Sequence, residues 1–231
     1  MKLTFASYNI HKAVGLDRRR DPDRILSVLR EMDADVIALQ EADRRFGTRA
    51  SVLSRQAIDE HTPWKVVPIG ARPLSMGWHG NALLVRRDIE VISANAVTLP
   101  MLEPRGAICA QLVIAGRPLH VVGMHLDLSG LRRRHQIMAV RHHLDACDGP
   151  HPAVLMGDLN EWSPSAGALR AFGEGYRVLA PGRSFPARRP MAQLDRIIVT
   201  ADWRVDGIGV HHSALSAIGS DHLPVWARLE I

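Results

Sequence analysis

The pattern of hydrophobic and polar positions along the chain predicts a succession of short β-strands. Eight segments are rich in Val, Ile and Leu, which are favoured in strands. These predicted strands cover residues 3–10, 35–40, 81–86, 107–115, 119–126, 153–156, 194–200 and 222–231. In the last of them Leu223, Val225 and Ala227 alternate with other residues, as in a strand that is buried on one face.

Two stretches between the strands have the three- and four-residue spacing of apolar side chains that favours amphipathic helices. They cover residues 22–32 and 130–146. Asp21 followed by Pro22 is typical of a helix start, because aspartate caps free backbone N–H groups and proline fits the first helical position. No repeat and no linker-like stretch interrupts the pattern, so we expect residues 1–231 to form a single domain.

Polar side chains interrupt the apolar segments where four of the predicted strands end. The residues at these strand ends are Asn9, Glu41, His125, Asp158 and Asn160. In an open sheet, ligands bind in the crevice beyond the carboxyl ends of the strands. We therefore expect these side chains to share one rim.

Two further polar clusters begin strands instead of ending them. Asp195 opens one predicted strand, and Asp221 with His222 opens the last one. If these strands run antiparallel to the earlier ones, their starts lie on the same rim. Each residue alone is more often a turn former, a helix cap or a surface histidine, but the joint pattern favours a functional site.

The composition is that of an ordinary globular protein, with 46% hydrophobic and 23% charged residues. A net charge of +5 and a pI near 9.8 favour an anionic partner, such as nucleic acid, phospholipid headgroups or a phosphorylated metabolite. Arginine provides most of the positive charge and matches phosphate geometry well. The arginine runs at 18–20 and 132–134 fit either a substrate-facing or a solvated surface.

The sequence contains neither a secretory signal nor a run approaching the roughly 20 apolar residues that cross a bilayer. The cytoplasm is therefore the expected compartment. Cys109 and Cys147 are far apart in the sequence and lack CxxC spacing, so we expect free structural thiols.

The residue types at the expected rim suit a magnesium or manganese site. Carboxylate and amide oxygens are hard ligands, and Mg²⁺ commonly takes one or two carboxylates while it keeps waters and phosphate oxygens. Histidines beside such an ion supply proton transfer and hydrogen bonds to developing charge. The absence of HExxH and GxSxG segments disfavours a zinc hydrolase and a serine hydrolase.

Seven short segments resemble, in order, the motifs of the endonuclease/exonuclease/phosphatase superfamily, which includes pancreatic deoxyribonuclease, neutral sphingomyelinases and inositol polyphosphate 5-phosphatases. The segments are SYNIH, ALQEAD, HGNALL, MHLD, MGDLN, QLDRIIVT and GSDHLPV, and they run from residue 7 to residue 225. The resemblance implies an α/β (α+β) fold. It is a four-layer αββα sandwich, with two mixed β-sheets packed face to face and helices outside.

The resemblance also implies roles for the matching residues. Glu41 resembles the principal ligand of Mg²⁺ or Mn²⁺, with Asn9 and Asp221 close by in the metal shell. Asp158 resembles the residue that orients or deprotonates the attacking water, and Asn160 one that holds this water and a phosphate oxygen.

The remaining matches concern the scissile phosphate and the substrate cleft. His222, oriented by Asp195, resembles the family's catalytic His–Asp pair, and His125 resembles the second histidine, which contacts a phosphate oxygen or the leaving group. Asn81 and Arg105 stand at positions resembling ones that line the cleft and bind substrate, although a turn former and a surface arginine are the alternatives.

The expected activity is hydrolysis of a phosphate ester by in-line attack of water. The segments SYNIHKAVGLD and SFPARRPMAQLDRI favour a phosphodiesterase acting on a phospholipid or small phosphodiester, as in small bacterial family members. An endonuclease or exonuclease acting on DNA or RNA is the alternative. A catalytically inactive phosphate-binding module is an alternative of another class, but it predicts gaps among the site residues. The sequence indicates no protein partner.

Overall fold

The structure is a computed structural model that describes residues 1–44, 47–70, 73–100, 103–147, 149 and 151–231. The strands are β1 (Lys2–Asn9), β2 (Val36–Gln40), β3 (Trp64–Val66), β4 (Ala82–Arg86), β5 (Glu90–Val97), β6 (Gly106–Ile114), β7 (Arg117–His125), β8 (Ala153–Asp158), β9 (Tyr176–Leu179), β10 (Asp195–Thr200), β11 (Arg204–Val210) and β12 (Val225–Glu230). The helices are α1 (Pro22–Met32), α2 (Arg55–His61), α3 (Gly130–Asp145) and α4 (Ser216–Gly219), with 3₁₀ turns at His11–Ala13 and Gly167–Phe172. None of the helices in the described residues is long and apolar enough to cross a lipid bilayer.

The strands form two mixed sheets of six strands each. The first has the order β11-β12-β1-β2-β4-β3, and the second has the order β5-β6-β7-β8-β10-β9. Each sheet contains one parallel pair among antiparallel ones: β1 with β2 in the first, and β7 with β8 in the second. The mixed sheets implied by the family resemblance are confirmed.

The two sheets pack face to face through a core made of alternate strand residues. Phe5 from the first sheet and Met156 from the second belong to this shared core. Successive side chains of a strand point to opposite faces, so Tyr8 of β1 lies on the outer face, where it packs with residues of α1. Helix α3 covers the outer face of the second sheet in the same way. This arrangement is the expected four-layer αββα sandwich.

Helix α1 begins and ends where the sequence predicts. The Asp21 carboxylate accepts a hydrogen bond from the backbone N–H of Arg24 at 3.0 Å, and Pro22 occupies the first turn. Asp33 ends the helix in the left-handed conformation, with φ of 49°, and donates its N–H to the carbonyl of Leu29. Local capping therefore fixes both ends of this helix.

Helix α3 ends one residue before its predicted boundary, and polar groups attach it to the loop that follows β7. The side-chain oxygen of Gln136 accepts a hydrogen bond from the N–H of Asp127 at 2.8 Å. Arg133 is buried and its guanidinium lies 3.1 Å from the Glu161 carboxylate. These contacts fix the loops after β7 and β8, which carry the candidate site.

The sequence analysis predicted none of the four edge strands: β3 and β9 are only three and four residues long, and β5 and β11 lack a clear hydrophobic pattern. In β5 and β11, many side chains are exposed or half-buried. Their sequences, EVISANAV and RVDGIGV, also contain Ala, Asn, Asp and Gly, which are depleted in strands. The hydrophobic pattern is consequently weaker than in the central strands.

Candidate active site

Three predicted site residues lie side by side at one end of the second sheet. His125 at the end of β7 pairs with Asp158 at the end of the parallel strand β8. Asp195 at the start of β10 pairs with Asp158 from the other side, because β10 runs antiparallel to β8. The expectation that strand starts and strand ends share one rim is therefore correct for this sheet.

The first sheet contributes Asn9 and Glu41 to the same rim. Asn9 ends β1 and pairs with Gln40 of the parallel strand β2, so Glu41 follows immediately beside it. The side-chain amide of Asn9 donates a hydrogen bond to Oδ2 of Asp158 at 3.0 Å. This contact joins the two sheets at the centre of the site.

Three side chains converge on one carboxylate oxygen of Asp158. Besides the amide of Asn9, the Nε2 atoms of His125 and His222 lie 3.4 Å and 3.6 Å from Oδ2. Burial acts to raise the pKa of Asp158, but His222, His125 and the backbone N–H of Asn160 hold it well below its usual range. Asp158 is therefore an anion beneath the rim, with a residue exposure of only 2%.

His222 is held from behind by a buried carboxylate. Its Nδ1 atom lies 2.9 Å from Oδ2 of Asp195, which also accepts a hydrogen bond from the hydroxyl of Ser184. Burial acts to lower the pKa of His222, but Asp195 and Asp158 outweigh it and raise this pKa to about 10. Burial raises the pKa of Asp195 above its ordinary value. The Nε2 edge of the imidazole is left facing Asp158.

Asn160 is positioned by a turn that closes on Asp158. It adopts the left-handed conformation, with φ of 51°. Its backbone N–H donates to Oδ1 of Asp158 at 3.0 Å, and its side-chain amide donates to the carbonyl of Leu126 at 2.9 Å. Asparagine tolerates this conformation better than most residues, which explains the residue type at this position.

Glu41 carries a partly exposed carboxylate that lines a pocket at the rim. It adopts the left-handed conformation, with φ of 54°, and its side chain is 25% exposed and ion-paired with Lys12. Burial acts to raise the pKa of Glu41, but His125, Lys12 and His11 hold it below its ordinary value. The carboxylate is thus ionised and already attracts a cationic group.

Asp221 approaches the same region from the segment before β12, because this strand begins only at Val225. Its carboxylate lies 3.9 Å from Nδ1 of His11, and the hydroxyl of the preceding Ser220 donates to the carbonyl of Asn9 at 2.7 Å. His11 and Lys12 belong to one short turn, so Asp221 and Glu41 contact adjacent residues of that turn.

Arg105 lines the cleft, whereas Asn81 is buried. The guanidinium of Arg105 contacts the imidazole of His125, and both residues line a pocket together with Glu41. Asn81 is buried, with an exposure of 1%, and its amide donates to the carbonyls of Trp78 at 3.2 Å and Gly106 at 3.0 Å. Asn81 therefore holds the backbone beside Arg105, and Arg105 faces the pocket.

The pocket beside Glu41 is rich in basic side chains, which the sequence analysis did not identify apart from Arg105 and His125. It has a volume of about 100 Å³. Its lining residues are Lys12, Glu41, Asp43, Arg44, Arg49, His79, Gly80, Glu103, Pro104, Arg105 and His125. Loop residues such as Arg44 and Arg49 follow no hydrophobic period, and their only sequence signal is the overall arginine excess.

The carboxylates of Asp158 and Asp195 differ from that of Glu41 in how readily they could accept a cation. Asp158, Asp195 and His222 place ligand atoms within 4.8 Å of one another, but these atoms already contact each other in buried pairs. Glu41 lines the open pocket, and its ion-pair partner is the ammonium of Lys12, which stands on a flexible side chain. The Glu41 carboxylate could therefore hold a divalent ion in place of the lysine ammonium.

Comparison with known proteins places the chain among phosphate-ester enzymes. The profile of the Endonuclease/Exonuclease/phosphatase family matches residues 6–222. The uncharacterized protein YbhP of Escherichia coli strain K12 is 27% identical over 246 aligned residues, which cover 96% of this chain and 94% of YbhP.

Solved structures share the fold at low sequence identity. Danio rerio TDP2 in complex with a single-strand DNA product has a TM-score of 0.77 at 15% identity, covering 100% of this chain and 99% of that one. A mannosyl-6-phosphatase from Bacteroides thetaiotaomicron has a TM-score of 0.78 at 19% identity, covering 99% of this chain and 100% of that one.

Proposed function

The chain belongs to the Endonuclease/Exonuclease/phosphatase family, and from this premise we propose that it is a metal-dependent phosphodiesterase. The family comprises nucleases and phosphatases, which act on phosphodiester or phosphate monoester bonds. The proposed substrate is a phospholipid or another small phosphodiester, cleaved by in-line attack of water.

The observation that carries the proposal is the convergence on Oδ2 of Asp158. An amide and two imidazoles, from two strand ends and the segment before β12, meet this one oxygen, at 3.0 Å for Asn9, 3.4 Å for His125 and 3.6 Å for His222. Keeping a carboxylate buried costs free energy unless it is paired. Such a set of groups around one anion is suited to holding a water and a phosphoryl group together.

In the proposed reaction, Asp158 orients the attacking water with the help of Asn160. The water oxygen forms the new bond to phosphorus while the bond to the leaving oxygen breaks on the opposite side, and Asp158 accepts the proton that the water loses. Because its pKa is low, Asp158 first orients the water by accepting a hydrogen bond from it. Asp158 takes the proton only as the new bond to phosphorus develops. Asn160 fits this role because two of its polar groups are fixed to the surrounding backbone and to Asp158.

His222 is proposed to act as a positively charged hydrogen-bond donor to a non-bridging phosphoryl oxygen. Its pKa of about 10 keeps the imidazole protonated at neutral pH. Asp195 fixes the ring through Nδ1 at 2.9 Å and leaves Nε2 for the substrate. Donors fixed in place before the reaction stabilise the charge that develops in the transition state.

His125 and Arg105 are proposed to bind the other phosphate oxygens or the leaving group. The two side chains contact each other and line the pocket beside Glu41. A guanidinium matches two phosphate oxygens at once. Asn81 is proposed to act on substrate through Arg105, by holding Gly106 at 3.0 Å.

Mg²⁺ or Mn²⁺ is the proposed cofactor, and the residues at Glu41 fit it. Glu41 would hold the ion, with Asn9 and Asp221 nearby, because carboxylate and amide oxygens are the ligands that hard cations prefer. The ammonium of Lys12 against the Glu41 carboxylate shows that this position already favours positive charge. When bound, the ion neutralises charge on the phosphoryl oxygens.

An apolar flank beside His222 supports a lipid substrate over a soluble one. The flank consists of Trp162, Phe185 and Met191, and the N–H of Met191 donates to the carbonyl of Phe185. The Phe185 ring lies 4.8 Å from the His222 ring, and the Trp162 ring lies 6.3 Å from that of Phe185. Trp162 and Met191 are 63% and 60% exposed. Large exposed apolar side chains next to a phosphoryl site are suited to an acyl chain or a membrane surface.

Nuclease activity is the second candidate, and the basic pocket favours it. Arg44, Arg49 and Arg105 line one side of the site, and basic side chains of this kind bind the phosphates of nucleic acids. The related TDP2 structure holds a single-strand DNA product. A nuclease would bind DNA with an affinity that falls steeply with salt, whereas a lipid diesterase would bind vesicles through the apolar flank.

The proposal is tested by assaying purified protein with Mg²⁺ or Mn²⁺ against bis(p-nitrophenyl) phosphate, p-nitrophenyl phosphate, phospholipid vesicles, inositol phosphates, plasmid DNA and RNA. We expect diester turnover that falls about 10²–10⁴-fold in Asp158→Asn. Asp88→Asn is the matched control, since Asp88 is exposed in the turn between β4 and β5. Equal rates in wild type and Asp158→Asn would eliminate the mechanism, and turnover of monoesters alone would identify a phosphatase.

A further inference from the structure

The opposite end of the second sheet holds a second cluster of metal-ligating side chains. His120 lies near the start of β7, five residues before His125. At about 3.3 Å per residue, this separates the two histidines by roughly 17 Å along the strand. The cluster is therefore distinct from the candidate active site.

Sheet register and helix α3 bring two cysteines to His120. Cys109 of β6 pairs with Val122 of β7, and Gln111 pairs with His120, so Cys109 and His120 are diagonal neighbours on adjacent strands. Cys147 follows the end of α3, which packs over this face. The Sγ atoms of both cysteines and a ring nitrogen of His120 all lie within 4.8 Å of one another.

His120 is the observation that points to a ligand. Its residue exposure is 5%, and neither of its ring nitrogens has a hydrogen-bond partner among the described residues. A buried polar group without a partner costs roughly 1–3 kcal/mol. Both nitrogens of a buried imidazole are thus available, and one of them faces two sulfur atoms.

We propose that Cys109, Cys147 and His120 bind a thiophilic metal ion, Zn²⁺ or a similar soft cation. Thiolate and imidazole ligands select such ions over Mg²⁺. Tetrahedral zinc ligands lie about 3.3–3.8 Å apart for bond lengths of roughly 2.0–2.3 Å. Ligand atoms within 4.8 Å of one another reach this spacing through small side-chain movements.

The surroundings supply a fourth position and an access route. The ring of His151 lies 5.5 Å from that of His120. Both rings line an open pocket together with Cys147, Asp145 and Asp202. His151 or a water from this pocket completes four-coordination, and a metal reaches the site without unfolding of the sheet.

The metal-free site is held in an uncharged form. Burial and the neighbouring Cys147 raise the pKa of the Cys109 thiol to about 12. Burial and two nearby histidines lower the pKa of His120, which leaves its imidazole neutral. Zinc binding therefore releases thiol protons and strengthens as pH rises. In the zinc-bound form, the segment after α3 is clipped to strands β6 and β7.

Metal titration of the 231-residue chain tests the proposal. Protein that has been reduced and stripped with a chelator is titrated with Co²⁺ and then Zn²⁺, in the presence of excess Mg²⁺ to saturate the Glu41 site. We expect one Co²⁺ per chain with a thiolate-to-cobalt charge-transfer absorption, which Zn²⁺ abolishes. Zn²⁺ should also raise the melting temperature.

Variants distinguish metal binding at this cysteine–histidine cluster from metal binding at Glu41 in the candidate active site. Cys147→Ser and Cys109→Ser should lose the charge-transfer absorption, and His120→Gln should weaken Zn²⁺ binding at least tenfold. Glu41→Gln and His142→Gln should keep the absorption, since Glu41 belongs to the rim and His142 is exposed on α3. Cys147 is only half-buried, so its variant is expected to fold.

Two results would overturn the proposal. One is an identical Co²⁺ spectrum in wild type and Cys147→Ser. The other is a disulfide between Cys109 and Cys147 in protein isolated without reductant, detected as zero free thiols after denaturation. Either result can be obtained whether or not the protein hydrolyses phosphate esters.

Discussion

Asp158 and Asp195 lie directly opposite each other on the neighbouring strands β8 and β10, yet the pKa values of their carboxyl groups shift in opposite directions. Burial acts to raise both values. Two imidazoles and a backbone N–H overcome this effect at Asp158, whereas Asp195 also faces the negative charge of Asp158. When the pKa values of two neighbouring carboxyl groups are shifted apart in this way, the two groups typically have different roles in the site.

Replacing Asp195 should change the pH profile of the reaction. His222 is protonated below its pKa of about 10, so we expect wild-type activity to fall as pH rises through that value. Asp195→Asn removes a main cause of the raised pKa, and the alkaline limb should move down by about 1–3 pH units. The rate against pH is measured for both proteins, and an unmoved limb would mean that Asp195 acts only in packing.

The same pKa shift predicts a stability change with pH. The folded-state pKa of His222, about 10, lies above its ordinary value of 6.5. Protonated His222 therefore contributes to the free energy of unfolding. This contribution is complete below pH 6.5 and is lost as pH rises through 10. Urea unfolding at several pH values should show a smaller alkaline decline in His222→Gln than in wild type. Parallel curves for the two proteins would contradict the prediction, and His142→Gln serves as the control.

Lys12 should compete with the divalent ion for Glu41. Its ammonium is ion-paired with the Glu41 carboxylate, and a partly exposed ion pair contributes about 0.2–1 kcal/mol. Lys12→Ala should consequently lower the Mg²⁺ concentration for half-maximal activity by about 1.5–5-fold. Lys2→Ala is the matched control, because Lys2 forms an exposed ion pair with Asp206. A higher Mg²⁺ requirement would show instead that Lys12 assists the ion.

The apolar flank should determine the preference for lipid. Trp162 is 63% exposed beside Phe185, and burial of a large apolar side chain contributes about 1.5–3 kcal/mol. Trp162→Ala should raise the KM for phospholipid vesicles about tenfold or more and leave the kinetics on bis(p-nitrophenyl) phosphate unchanged. Leu74→Ala is the control, since Leu74 is 56% exposed outside the flank. A loss that is equal on both substrates would refute a lipid-specific role.

Asn81 should support the cleft through the backbone. Asn81→Ala leaves the buried carbonyl of Gly106 without its side-chain donor, and an unsatisfied buried group costs about 1–3 kcal/mol. We expect a lower free energy of unfolding and a lower kcat, whereas Arg105→Ala should lower activity at unchanged stability. The exposed Asn95→Ala provides the control. Wild-type stability in Asn81→Ala would contradict the role in holding Gly106.

Much of the rim was predictable because its residues interrupt hydrophobic strands. Asn9, His125 and Asp158 end apolar segments, and the strand period fixes where those ends fall. Once the strands are paired, a residue at the end of a strand in the sequence lies on the rim in the structure.

Residues outside the strand pattern were not predictable in this way. Lys12 lies in a 3₁₀ turn and Ser184 in an irregular segment, so no periodic sequence pattern links them to Glu41 and Asp195. Cys109 and Cys147 were interpreted as free structural thiols because they are far apart in the sequence and lack CxxC spacing. Their proximity depends on how α3 returns over the sheet, which is a property of the tertiary fold.

The hydrogen bond between Asn9 and Asp158 spans 149 residues and connects two different sheets. His222, which completes the group, follows Asp158 by 64 residues and precedes β12 of the first sheet. The group therefore exists only when the two sheets are packed against each other. The proposed hydrolysis would accordingly report whether the sheets are docked, and denaturant concentrations that separate them should abolish turnover.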